Sequence, residues 1–194
     1  METLAIIVPC YNEQEALPLF YKEASKVLEK LNYDYKLLLI NDGSKDNTLS
    51  IMKSIAEKDE HVKYLSFSRN FGKEAAMYAG FCNANADYVC VMDADMQDPP
   101  SLLPEMLEIL HTQDYDSVAT RRKNREGNRR SEAGLHTDFM RSSIKYRMQI
   151  SLMAQGFSPD EKGNGGSDCQ HDRIQSVFQG DFWLDRFQNI LVIL

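Results

Sequence analysis

Strand-like and helix-like stretches alternate four times along this chain, and that alternation limits the folds open to it. Residues 4–8 form a short, wholly apolar run. Leu17, Phe20, Tyr21, Ala24, Val27, Leu28 and Leu31 then recur at helical spacing within residues 14–31. A second apolar run covers 35–40. A second stripe (Leu49, Ile51, Met52, Ile55, Ala56) follows the cap-forming Asp46-Asn47-Thr48. A third strand is expected over 62–67 and a helix over 74–84. A fourth strand should cover 88–92, a helix capped by Ser101 should cover 101–111, and a fifth strand 117–120. Connections this short imply a mostly parallel sheet with helices on both faces.

Ligands of such sheets bind beyond the carboxyl ends of the strands. Each conspicuous polar cluster falls there: residues 9–13, 41–44, 68–73 and 93–97. Singly, each is as well explained by a turn, where Asp, Asn and Gly are common. Four on one sheet edge favour a site. In the last cluster, Tyr88-Val89-Cys90-Val91-Met92 runs into Asp93-Ala94-Asp95-Met96-Gln97-Asp98 and is stopped by Pro99-Pro100. Alternate residues at a strand end point the same way, so Asp93, Asp95 and Gln97 would offer oxygens to one point. Hard oxygen ligands suit Mg²⁺ or Mn²⁺, which leave positions open for phosphates. Arg69 and Lys73 add cations nearby, fitting a diphosphate leaving group.

Other ligand classes fit less well. No G-x-G-x-x-G follows the first strand and no G-x-x-x-x-G-K-[ST] is present. A nucleotidyltransferase would want a glycine-rich basic loop where Pro9-Cys10-Tyr11-Asn12-Glu13 stands. A net charge of -7 argues against nucleic acid as a partner. Cys10, Cys82, Cys90 and Cys169 lack metal or disulfide spacing, which suggests reduced thiols in a cytoplasmic protein. Neither a signal peptide nor an apolar run of membrane-spanning length is visible.

At Val8-Pro9-Cys10-Tyr11-Asn12-Glu13, Asn41-Asp42-Gly43-Ser44, Ser68-Arg69-Asn70-Phe71-Gly72-Lys73 and the segment from Asp93 to Pro100, the chain resembles family 2 glycosyltransferases of the GT-A fold. It is most similar to the polyprenyl-phosphate sugar transferases, the group of dolichol-phosphate mannosyltransferase and the bactoprenol glucosyltransferases. The resemblance implies a Rossmann-like, mostly parallel GT-A sheet over residues 1–127. It implies that Pro9, Tyr11 and Glu13 hold the nucleoside of a nucleotide sugar and that Asp42 reads the base. Asp93, Ala94 and Asp95 would meet the donor, with Asp93, Asp95 and Gln97 holding Mg²⁺ or Mn²⁺ on its diphosphate. Arg69 and Lys73 would sit at the same donor. Family members with this pattern often use UDP-sugars, although Asp42 by itself does not separate uridine from guanosine. The implied reaction is inverting transfer to a polyprenyl phosphate at the cytoplasmic face of a membrane. Transfer to a cell-surface polysaccharide and a non-catalytic nucleotide-sugar-binding remnant are the alternatives. No general base is assigned.

Residues 121–127 still fit the family's basic acceptor-side loop. From Asn128 to Leu194 the likeness ends, periodicity is poor, and Gly163-Asn164-Gly165-Gly166-Ser167-Asp168 reads as loop. Relatives should continue with amphipathic helices and membrane-spanning helices. Back-translation offers a reason. Shifting the frame over 127–155, and again from 159, gives long family-like stretches. Met148 followed by Gln149 leaves little codon freedom there, forcing an alanine in the shifted frame. Residues 128–194 are therefore expected to be an out-of-frame tail, poorly structured and lacking the acceptor half and membrane anchor.

Overall fold

The computed structural model describes residues 1–97, 99–112 and 117–120, and the backbone of 151–154 and 190–193. In chain order the elements are β1 (Thr3–Cys10), α1 (Ala16–Leu28), β2 (Asp34–Asn41), α2 (Thr48–Ala56), β3 (Val62–Ser66) and α3 (Lys73–Asn83). They continue with β4 (Tyr88–Val91), a 3₁₀ turn (Pro100–Leu102), α4 (Leu103–Thr112), β5 (Ser117–Thr120), β6 (Ser151–Ala154) and β7 (Ile190–Ile193). The expected α/β alternation is present from β1 to β5. The sheet order is β3-β2-β1-β4-β6-β5-β7. β1, β2, β3 and β4 are parallel, β5 is parallel to β7, and β6 runs antiparallel to both β4 and β5. β6 and β7 are the described parts of 128–194. The rest of that segment and loop 121–127 lie outside the described residues.

Both sheet faces are covered, as a parallel sheet requires. Leu4, Ile6 and Val8 of β1 join Leu37 and Leu39 of β2 on one face, under Leu17 and Phe20 of α1, Met52 of α2 and Leu103 and Met106 of α4. Ile7, Leu38, Ile40 and Val91 face the other way, against Ala76 of α3. Here α3 lies almost on β1. A Cβ placed on Gly80 would come within 2.3 Å of Ile7 Cγ2, so only glycine allows this approach.

Several expected boundaries move. β1 runs past Pro9 instead of ending before it, because Pro9 and Cys10 still pair with Ile40 and Asn41. Pro9 acts on the other edge of β1. The ladder to β4 pairs Leu4–Ile7 with Tyr88–Val91, and Met92 N–H donates to Ile7 O at 3.0 Å. The next rung needs an N–H on Pro9, which has none. β4 therefore ends at Val91, before Asp93. Ser101 is not the cap of α4, since it sits inside the 3₁₀ turn that precedes it. Cys10 and Cys90 are free and buried, and burial pushes both thiols far above the ordinary range; at Cys10, Glu13 and Asp93 add to the rise. The expectation for Cys169 lies outside the described residues. Among the described residues no helix is long and apolar enough to cross a membrane.

Candidate functional site at the β1–β4 crevice

Strand order reverses between β1 and β4: β2 and β3 lie on one side of β1, β4 on the other. That switch point is where open α/β sheets leave a crevice. Loops from four strand ends converge on it, and their own hydrogen bonds hold them.

The loop after β1 is locked to the loop after β2. Asn12 adopts a left-handed backbone (φ 57°), which asparagine tolerates better than most residues. Its N–H donates to Ser44 Oγ at 3.0 Å and its Oδ1 accepts from Lys45 N–H at 2.8 Å. Glu13 N–H donates to Thr48 Oγ1 at 2.8 Å, and Gln14 N–H to Asp46 Oδ2 at 3.2 Å. Gln14 Oε1 accepts in return from Asn47 N–H at 3.1 Å. Asp46 also starts α2, its Oδ1 accepting Thr48 N–H at 3.0 Å and the Thr48 hydroxyl at 2.6 Å. Burial would raise Asp46, but these bonds hold its carboxyl below the usual range. Sequence reasoning missed Asn12, Gln14 and Ser44 as positioning residues; the visible signal was polar side chains clustered in two neighbouring strand-end loops.

The loop after β2 is locked in turn to the loop after β3. Asp42 is buried, and its carboxylate accepts Phe71 N–H at 2.7 Å and Gly72 N–H at 3.0 Å. These amides lie just before α3, where an anion is favoured. Gly43 (φ +64°) passes so close that a Cβ would fall 2.2 Å from Arg69 C. The base-reading role expected of Asp42 competes with this use of both its oxygens. Arg69 lies over the exposed Phe71 ring, 4.8 Å from its centroid, and Phe67 meets the same ring edge-on.

The acidic centre comes from the loops after β1 and β4. Residues 93–97 form a turn, with Met96 left-handed at φ 59°, so strand alternation does not align Asp93, Asp95 and Gln97. Asp95 Oδ1 accepts Gln97 N–H at 2.9 Å, closing the turn. Asp95 and Gln97 are exposed, Asp93 half-buried and Ala94 buried. Lys73, the first residue of α3, places Nζ 2.6 Å from Asp93 Oδ1 and 2.7 Å from Oδ2. Burial, then the carboxylates of Asp95, Asp93 and Asp46, raise Glu13 above the usual range. Glu13 thus borders the acidic centre, while Pro9 lies within the last residues of β1 and Tyr11 is exposed in the loop that follows.

The carboxylates of Asp93 and Asp95 lie close enough to Glu13 to raise it, with Lys73 among them, and such a donor set is one that a divalent cation would relieve. Among the described residues, no three His, Cys, Asp or Glu side chains are already gathered as a metal cage. Mg²⁺ commonly completes its shell with water and substrate phosphates, so an open arrangement still fits such an ion.

The model of the family described as Glycosyl transferase family 2 matches residues 5–163, running past Gly127. The chain is 45% identical over 124 residues to "Putative glycosyltransferase CsbB" of Bacillus subtilis, covering 64% of this chain and 37% of that protein. It is 44% identical over 105 residues to "Prophage bactoprenol glucosyl transferase homolog" of Escherichia coli, covering 54% and 34%. It is 37% identical over 127 residues to "Undecaprenyl-phosphate 4-deoxy-4-formamido-L-arabinose transferase" of Sodalis glossinidius, covering 65% and 39%. The chain thus spans well under half the length of these curated relatives. Among solved structures, S. aureus TarS 1-349 superposes with a TM-score of 0.61 at 17% identity, covering all of this chain and 58% of that one. Mannosyltransferase PcManGT of Pyrobaculum calidifontis, in complex with GDP-Man and Mn²⁺, gives 0.54 at 16% identity, covering 79% and 44%. At such identities these structures speak for the GT-A fold alone. With four strand-end loops meeting at the switch point and the family model covering most of its length, the chain belongs to glycosyl transferase family 2.

Proposed function

We propose that residues 1–127 form the donor half of an inverting glycosyltransferase that takes a UDP-sugar and serves a polyprenyl phosphate acceptor. The observation that carries this reading is the acidic centre of Glu13, Asp93 and Asp95, with Lys73 against it, at the β1–β4 crevice. Pro9, Tyr11 and Glu13 line the nucleoside side. Asp42 works by fixing the Phe71–Gly72 segment, so any reading of the base goes through the loop it shapes. Arg69 and Lys73 offer cations to the diphosphate. Asp93, Asp95 and Gln97 would hold Mg²⁺ or Mn²⁺, whose positive charge offsets what builds on the departing diphosphate. PcManGT, described with GDP-Man and Mn²⁺, supports a divalent metal on this fold. The names of the bactoprenol and undecaprenyl-phosphate transferases support the acceptor class.

The chemistry is one displacement at the anomeric carbon. A lipid phosphate oxygen forms the new bond while the bond to the UDP β-phosphate oxygen breaks and UDP leaves with the electron pair. The acceptor is already anionic at neutral pH and needs no proton removed, so the site has to position and neutralise rather than supply a base. We read 128–194 as an out-of-frame tail, a reading the gene's nucleotide sequence tests directly. Intact relatives would then work at the cytoplasmic membrane face.

The alternative reading is a nucleotide-sugar-binding remnant without transfer. Release of free UDP from UDP-glucose and Mn²⁺, with and without undecaprenyl phosphate, separates the two. Lipid-stimulated release supports transfer, whereas donor binding without release supports the remnant. Release stimulated by a polysaccharide instead would move the acceptor to the cell surface.

A further inference from the structure

Lys73 is the cation in contact with the acidic centre among the described residues, and it spans both oxygens of Asp93. A divalent ion arriving at that carboxylate meets an ammonium already there. The two partners differ in freedom: the Lys73 side chain is 49% exposed, that of Asp93 17%. The base of Lys73 is fixed, since the preceding Phe71 and Gly72 amides are held by Asp42 and the Arg69–Asn70 backbone abuts Gly43. Its long stem is free to swing while its Cα stays put.

We propose that Lys73 is a displaceable counter-ion that couples metal entry to diphosphate entry. Metal alone must compete with Lys73 for Asp93. Metal arriving with a nucleoside diphosphate gives the ammonium a new anionic partner, so Lys73 leaves Asp93 without becoming unpaired. The two ligands then favour each other, and the coupling is reciprocal. This deepens the donor-site reading above and rests on it. Glu13, Asp46 and Asp95 keep the crevice negative once Lys73 has moved, which is the field a divalent ion needs.

Calorimetry on the full chain tests this with Mn²⁺ and UDP as probes, on wild type, Lys73→Met and Lys73→Arg. In wild type, saturating UDP should tighten Mn²⁺ binding at least about fivefold, and in Lys73→Met that factor should fall about threefold or more. Lys73→Met should also bind Mn²⁺ alone more tightly than wild type, while Lys73→Arg keeps wild-type behaviour. A merely structural lysine would not tighten metal binding when removed. If Lys73→Met does not fold, Lys73→Gln carries the same expectations. Wild type that binds both ligands, with coupling and Mn²⁺ affinity unchanged in the neutral variants, overturns the counter-ion role alone. Wild type that binds neither overturns the donor-site reading with it.

Discussion

Asp42 accepts the Phe71 backbone N–H at 2.7 Å, tying the end of β2 to the entrance of α3. Its second oxygen takes Gly72 N–H at 3.0 Å, so one buried carboxylate satisfies the two amides just ahead of α3. Replacing it by alanine strands both donors. Charge-assisted bonds of this kind are worth about 1.5–3 kcal/mol each, and partial rehydration of the loop recovers some of that. Asp42→Ala should therefore lose about 2–3 kcal/mol in urea unfolding. Amide exchange at Phe71 and Gly72 should speed up first, and nucleotide affinity should fall with it. Unchanged exchange at those two amides would show that Asp42 does not hold the loop.

Gly80 tests the fold independently of the site. A methyl group there would meet Ile7 Cγ2 at 2.3 Å, on the inner face of β1. Overpacking of this kind typically costs about 1–3 kcal/mol, and Gly80→Ala should fall in that range despite the better helix propensity of alanine. Because α3 also carries Lys73, its displacement should weaken Mn²⁺ and UDP binding together. A Gly80→Ala variant as stable as wild type would mean that α3 and β1 are further apart than described.

Glu13 gives the site a pH signature. Burial first, and then the Asp95, Asp93 and Asp46 carboxylates, raise its folded pKa above the unfolded value, near 4.3 for a free glutamate. The folded state then binds the proton more tightly than the unfolded one. This contribution to stability is fully present below the unfolded pKa and is lost as pH rises through the folded pKa. Without metal, Glu13→Gln should therefore melt higher than wild type at pH 7 and show no such gain near pH 3.5. Adding Mn²⁺ should close the gap at pH 7 by stabilising wild type more. A variant that melts lower than wild type at pH 7 without metal would contradict the crowding of charge around Glu13.

The parallel sheet and the four strand-end loops were legible in the sequence because each rests on local pattern: apolar runs, helical stripes, and polar residues where strands stop. The contacts that arrange the site were not, because they depend on partners distant in sequence. Nothing local reveals that Asn12 turns left-handed and trades hydrogen bonds with Ser44 and Lys45, or that Asp42 spends both oxygens on Phe71 and Gly72. The expected alignment of Asp93, Asp95 and Gln97 assumed a strand reaching Met92. Pro9, on the neighbouring strand, lacks the N–H that would extend that ladder, and the carboxylates fall on a turn instead. Lys73 was visible as a nearby cation, but its hold on Asp93 needed the sheet to bring α3 and β4 together.

The most direct test of the donor-site account is UDP binding by calorimetry with and without Mn²⁺, on wild type and Asp95→Ala. Asp95 is exposed and the hydrogen bond it accepts from Gln97 N–H closes a surface turn, so its loss should leave the fold intact. The account predicts UDP binding that strengthens when Mn²⁺ is present in wild type, and at least about a tenfold loss of that Mn²⁺-dependent affinity in the variant, about 1.4 kcal/mol. Binding that ignores Mn²⁺, or that is the same in Asp95→Ala, would contradict it.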